Sequence, residues 1–301
     1  MVAKDKQASE LLPQFVDNAG NSKNSPLSDA DIAAYDCNPA IEVMLEDLRR
    51  TRGCERNALR ILDFGCGKGT LVGHLRAKGY NAFGVDIDPS YLKNGRVLDR
   101  YVKDEPILSL IGPDGRTEFA DESFDVVVSD QVIEHVHELE IVGCEIARLT
   151  APGGVGLHIF PPATSIMEVH LGMPIVHWLP AGKLRTAFVK AFLRAGIGVN
   201  YFTELPLDQR AKIYADFLET GTCYRSVRAT SSILTKQGLS TDALRGMSFK
   251  ADGMRNVYAR AAFSVPIISR GIWMLYTTFR GAYLATTKEA GKRIGVVTQT
   301  V

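Results

Sequence analysis

Short apolar runs closed by glycine, proline or an acid alternate with helix-forming stretches over residues 56–162. Arg60–Phe64 reads as a buried strand, and Gly69–Lys78 as the helix after it. Ala82–Asp86 is a second strand, with a short helix over Pro89–Arg96. Pro106–Ile111 and Phe124–Ser129 read as strands three and four. A helix is expected from about Gln131, another over Glu138–Leu149, and a fifth strand over Val155–Phe160. Alternation of this kind predicts right-handed crossovers and a parallel sheet.

The pattern changes on both sides of this block. Residues 1–27 are polar and turn-rich and are expected to be loosely ordered. Ser28, with Asp31 three residues on, can cap a short helix. Asn38-Pro39 starts another, in which Ile41, Met44, Leu45 and Leu48 recur at helical spacing. Downstream, Pro161-Pro162 ends strand five abruptly. Residues 163–222 then read as an insertion: Ala163–Pro180, rich in Pro, His and aromatics, and two helices over Lys183–Ala195 and Leu207–Glu219. A further helix runs to Gln237, before Gly238-Leu239-Ser240. The apolar stretch 256–278 is too interrupted to span a bilayer. A span needs roughly 20 unbroken apolar residues, whereas Arg260, Arg270 and Arg280 leave nine between charges and Pro266 lies inside.

Charge adds an asymmetry that the near-neutral total of +1 conceals. Residues 1–162 hold 17 Lys/Arg against 26 Asp/Glu, and residues 163–301 hold 18 against 8. The basic half suggests an anionic acceptor or surface. Residues 246–301, with eight Lys/Arg against two Asp/Glu, could also make peripheral membrane contact through a basic C-terminal helix. Five cysteines stand singly, without metal or redox spacing, which fits a reduced compartment. Met1–Glu10 has no apolar core of a secretory signal, so a cytoplasmic location is expected.

The chemistry concentrates at Ile61–Gly69. A strand, a glycine turn and a helix, with a second strand ending in Asp86 21 residues after Gly65, describe a nucleotide-binding crevice. Thr70 stands where a dinucleotide fingerprint needs its third glycine, which disfavours a nicotinamide enzyme. Gly69 after Lys68 breaks a phosphate-cradling P-loop. Asp-Phe-Gly-Cys-Gly-Lys-Gly instead resembles motif I of the class I S-adenosylmethionine (SAM)-dependent methyltransferases. Val85-Asp86-Ile87-Asp88 is similar to the acidic end of that family's second strand. Phe119–Ser129 with Val132–Val136 resembles its fourth strand and the helix after it, and Leu149–Gly154 the turn into strand five.

The resemblance implies a Rossmann-like, doubly wound α/β fold. Its sheet has seven strands, six parallel and an antiparallel strand seven at Phe279–Lys288, with a substrate lid inserted after strand five. The implied organisation is an N-terminal segment with cap helices (1–55), a SAM-binding core (56–162), the lid (163–222) and the completion of the core (223–301). The implied SAM-binding residues are Asp63, the turn Gly65, Cys66 and Gly67, Asp86 for the ribose hydroxyls, Ile87 on the adenine, Asp114 near the adenine amino group, and Ser129, Asp130 and Gln131. Tyr35 could cap the pocket.

Methyl transfer asks mainly for positioning and exclusion of water. A hydroxyl acceptor also benefits from a base, for which His170, His177 and His135 are the candidates. Glu168, His170 and His177 fit no common metal spacing, so no metal is expected. The expected activity is methyl transfer to a small-molecule, glycan or lipid-linked acceptor. Two alternatives stand beside it: a non-catalytic SAM-fold partner protein, and a nucleic-acid methyltransferase. The latter is not favoured, because Ser129-Asp130-Gln131-Val132 follows strand four in place of an Asn-Pro-Pro-Tyr-like tetrapeptide.

Overall fold

In the computed structural model the described residues are 25–101, 105–253, 266–279 and 281–290. Part of the segment expected to be loosely ordered, residues 1–24, and residues 254–265 of the apolar stretch lie outside them.

Seven strands form one sheet: β1 Arg60–Phe64, β2 Asn81–Asp86, β3 Leu108–Leu110, β4 Phe124–Asp130, β5 Thr150–Phe160, β6 Leu239–Asp242 and β7 Ala282–Lys288. Their order is β3-β2-β1-β4-β5-β7-β6. The first five pair in parallel, and β7 lies antiparallel between β5 and β6. This is the expected fold. The strands are apolar on both faces, as a sheet covered by helices requires. Ile61, Val126, Val128, Leu157 and Ile159 enter one core. Leu62, Phe64, Val127 and Phe160 enter the other.

The first core is closed by helices α1 Asp29–Ala34, α2 Pro39–Arg52, α3 Thr70–Ala77 and α9 Ala243–Asp252. Ser28 caps α1 in a capping box with Asp31, and Asn38 caps α2 with Pro39 in its first turn, as their sequences predict. The second core is closed by α5 Leu139–Leu149 and α8 Val227–Lys236. A short helix, α4 Pro89–Asn94, comes after β2.

Residues 163–222 gather around an apolar cluster of their own. A small hairpin pairs Met167–Glu168 with Met173–Pro174, and α6 Lys183–Arg194 packs on α7 Leu207–Thr220. Leu171, Val189, Tyr214 and Phe217 are fully or almost fully buried inside this unit. Its first residue is tied to the chain that follows it. Ala163 N–H donates to Arg225 carbonyl at 2.8 Å, and the Arg225 guanidinium donates to the carbonyls of Val136 and His137.

One expectation needs correction. No α-helix starts at Gln131; a single 3-10 turn over Ile133–His135 stands there. Gln131 has φ +57°, so the chain leaves the strand through the left-handed region rather than winding directly into a helix. The C-terminal helix, α10 Pro266–Phe279, packs Trp273 and Tyr276 on the core and leaves Met274 and Leu275 exposed. No helix among the described residues is long and apolar enough to cross a membrane.

His158 ties three strands together. Its ring, fully buried on β5, contacts Ser129 Oγ on β4 at 2.8 Å and Thr286 Oγ1 on β7 at 3.3 Å. Burial pushes its pKa down to about 4, from an ordinary 6.5. The neutral ring therefore contributes stability that is complete above pH 6.5 and is lost as pH falls toward 4. The loss amounts to about 3 kcal/mol by the free energy of a pKa change. His158→Gln should flatten the slope of unfolding free energy between pH 7 and 5 in urea titrations. An unchanged slope would assign the acid sensitivity elsewhere.

Candidate functional site

The glycine turn after β1 is fastened to the end of β2. Gly65 and Cys66 N–H both donate to Val85 carbonyl, at 2.8 and 2.9 Å. Gly67 N–H donates to Asp86 Oδ2 at 2.8 Å, and Gly69 N–H to Cys66 carbonyl at 2.9 Å. Gly65 has φ +83°, and a Cβ there would fall 2.5 Å from Val132, so both conformation and space require glycine. Because these four amides are committed within the protein, they are not offered to a phosphate as P-loop amides are. The acids Asp63 and Asp86 flank the turn, near the ends of β1 and β2.

Asp63 is almost fully buried at the end of β1. Burial first, then the charges of Asp130 and Asp86, push its pKa up to about 8. Asp86 is also raised by burial, against the opposing pull of the Asp88 and Gly67 amides on its carboxylate. Asp130 is raised by burial too, while Asn38 Nδ2 approaches its Oδ2 at 3.5 Å. The Tyr35 hydroxyl is held protonated by burial and by the nearby charges of Asp63 and Asp130. Three acids thus converge at the carboxyl ends of the strands, and no cation among the described residues acts on Asp63. Ile87, next to Asp86, is 75% exposed and offers an apolar face at the rim.

Not every implied SAM residue faces this crevice with its side chain. Cys66 is buried, its sulfur only 2.6 Å from where a Gly84 Cβ would stand, so it belongs to the core. Ser129 is buried with its hydroxyl on His158. The alternation of a strand accounts for this, since neighbouring residues point to opposite faces. Gln131 is exposed just past β4, its N–H donating to Ile159 carbonyl at 2.9 Å. Asp114 is an exposed turn residue whose Oδ1 accepts Arg116 N–H at 3.1 Å, a bond within its own turn rather than to the three acids.

A second cluster sits where residues 163–222 meet the end of β4. His135 Nδ1 lies 2.7 Å from Gly221 carbonyl. A carbonyl only accepts, so Nδ1 carries the proton and Nε2 keeps its lone pair. His170 Nδ1 lies 2.9 Å from Glu168 Oε1 and 2.8 Å from Tyr224 Oη. The Tyr224 hydroxyl itself donates to Glu168, so the carboxylate is the acceptor of both and His170 Nδ1 carries a proton. The rings of His135 and His170 are 4.9 Å apart, and those of His177 and Tyr224 5.1 Å. The three histidines singled out in the sequence thus gather at one seam.

Burial holds His135 and His177 below the ordinary histidine pKa, so both are neutral at pH 7. His177 Nδ1 is buried without a hydrogen-bond partner among the described residues, while backbone groups at Ser165 and Ala163 bond the ring elsewhere. Glu134 completes the cluster. It is 1% exposed, and neither carboxylate oxygen has a partner among the described residues. Burial first, then Asp130 and Glu168, push its pKa up to about 8. Asp130 therefore acts on both Asp63 and Glu134, and it links the crevice to the seam.

Residues 62–157 match the protein family described as methyltransferase domain. The chain is 30% identical over 158 residues to a ubiquinone biosynthesis O-methyltransferase of Rhizobium johnstonii, covering 50% of this chain and 60% of the relative. The match thus spans less than two thirds of that relative's length. The chain is 26% identical over 191 residues to the protein of that name from Thiobacillus denitrificans, covering 63% and 68%. A SAM-dependent methyltransferase structure from Mesorhizobium loti aligns over 80% of this chain and 96% of its own, at 16% identity and a TM-score of 0.44.

Proposed function

We propose that the chain is a class I SAM-dependent methyltransferase, a reading its match to the methyltransferase domain family supports, and that it transfers the methyl group of SAM to a hydroxyl of a small-molecule acceptor held under the lid. The observation that carries the reading is the convergence of Asp63, Asp86 and Asp130 at the strand ends, with no cation among the described residues acting on Asp63. A crevice of that kind fits a ligand that brings positive charge and hydroxyls. SAM has both, together with an adenine that the exposed Ile87 can cover. When bound, SAM supplies a methyl group activated by a sulfonium.

The protein's own residues bind and orient. Asp63 receives the ligand's ammonium, and Asp86 accepts from the ribose hydroxyls with lone pairs left by Gly67 and Asp88. Tyr35 closes the crevice side. At the seam, His177 Nδ1 is a neutral nitrogen able to take a hydroxyl proton. The name of the relatives, O-methyltransferase, supports oxygen as the nucleophile. The excess of 18 Lys/Arg over 8 Asp/Glu in residues 163–301 supports an anionic acceptor, such as a phosphorylated or uronic glycan or a lipid headgroup.

Calorimetry with SAM tests the reading. Before the ligand arrives, Asp63 stays protonated up to pH about 8, against an ordinary 3.8. The arriving cation displaces that proton. Affinity should therefore rise by up to about tenfold per pH unit between roughly pH 6 and 8 and level off above. The heat should also depend on the buffer, because a proton is released. Asp63→Asn should remove both dependences. Absence of SAM binding would overturn the function, and binding independent of pH and buffer would remove Asp63 from the site.

A further inference from the structure

We propose that Glu134, His135 and His170 form a binding site for one divalent first-row transition-metal ion, of the zinc class, at the seam between sheet and lid. The inference stands apart from methyl transfer, since it concerns the ion alone. One ligand atom from each of the three residues lies within 4.8 Å of the other two. Two of the ligands come from the 3-10 turn after β4 and the third from the lid hairpin's connection.

Each donor is prepared for a cation. Both imidazoles have Nδ1 bonded to an acceptor, Gly221 carbonyl for His135 and the Glu168 carboxylate for His170, and so leave Nε2 as the donor to an ion. Metal-binding histidines are commonly oriented this way, by an outer carboxylate or carbonyl. Glu134 supplies the charge. Its carboxylate is buried, has no hydrogen-bond partner among the described residues, and has two acids, Asp130 and Glu168, as neighbours. A buried carboxylate without a partner is costly, and a cation in contact with it removes the cost.

The donor set selects the ion. Two imidazole nitrogens and one carboxylate oxygen suit zinc, cobalt, iron(II) or manganese, whereas calcium and magnesium prefer oxygen sets. Three protein ligands leave a further position for an oxygen ligand. Tetrahedral ligands at about 2.0–2.1 Å from an ion stand roughly 3.3–3.5 Å apart.

The test uses the full chain after chelator treatment, without SAM. Cobalt(II) is titrated by its visible absorption and then displaced with zinc. The expected result is one equivalent of cobalt in a low-symmetry, intensely absorbing site. Glu134→Gln and His170→Gln should each weaken uptake by at least about 100-fold, more than the effect typical of outer-shell partners. Thermal melting separates ligand loss from misfolding. Zinc should raise the melting temperature of the parent chain and not that of Glu134→Gln, while metal-free Glu134→Gln melts no lower than the metal-free parent. Failure to take up cobalt overturns the proposal. So does uptake that survives Glu134→Gln but is lost in Cys37→Ser, which would place the ion at the second clustering of ligands, Cys37, Glu42 and His74.

Discussion

SAM should bind Asp86→Ala about 10- to 100-fold more weakly than the parent chain, the equivalent of about 1.5–3 kcal/mol for hydrogen bonds to a charged group. Asp86 has two tasks. Its Oδ2 holds Gly67 N–H at 2.8 Å and its Oδ1 holds Asp88 N–H at 3.0 Å, so the carboxylate fixes the glycine turn against the end of β2. It also presents its remaining lone pairs to the crevice. Asp86→Asn should fall between the parent and Asp86→Ala, because its amide oxygen keeps one of the two backbone bonds while its amide nitrogen can accept neither the other N–H nor a ribose hydroxyl. Calorimetry on both variants checks it. Affinity unchanged in Asp86→Ala would move the ligand away from the β1–β2 mouth.

Glu168→Ala should cost on the order of 3–5 kcal/mol, the scale for removing one partner of a buried charged network. The Glu168 side chain is fully buried and accepts from His170 Nδ1 at 2.9 Å, His170 N–H at 3.2 Å, Leu171 N–H at 2.5 Å and the Tyr224 hydroxyl. Burial alone would raise its pKa, but the donors from His170, Tyr224 and Leu171 outweigh it and bring the carboxyl below its ordinary range. Truncation leaves several buried donors without an acceptor and frees His170 to change tautomer. Hydrogen exchange should show the loss first in residues 163–222, with strands β1 to β5 exchanging near the parent rate. Equal acceleration across sheet and lid would mean the network serves the whole fold rather than its seam.

The sheet is legible in the sequence because its signals are local. Apolar runs such as Ile61–Phe64 and Val126–Val128 carry the strands, and Gly65, Gly67 and Gly69 with positive φ mark the turn where no other residue sits easily. The cap residues Ser28 and Asn38 are equally local, and each does in the structure what its sequence context predicts. The segment after β4 departs from its expected helix because Gln131 adopts φ +57° without being glycine, a conformation its residue type does not announce.

The seam is only half legible. His135, His170 and His177 stand out by type. Glu134, Tyr224 and Gly221 do not, because their surroundings arise from contacts between distant parts of the chain, such as His135 to Gly221, 86 positions apart, and Glu168 to Tyr224, 56 apart. The same distance hides the ion-binding geometry. Spacing rules look for ligands close together on one stretch, whereas Glu134-His135 and His170 are brought together only by the fold.

The order of strands also governs how the chain can be made. β7, within residues 282–288, lies between β5 and β6, and β6 touches the sheet only through β7. During synthesis from the N-terminus, the edge of β5 therefore stays unpaired and β6 has no neighbour until residue 288 has been joined. Pairing across such separations is slow, and an uncovered strand edge invites association with other chains. The strand order thus makes completion of the sheet wait on residues 282–288, and a chain stopped before them would leave the β5 edge open.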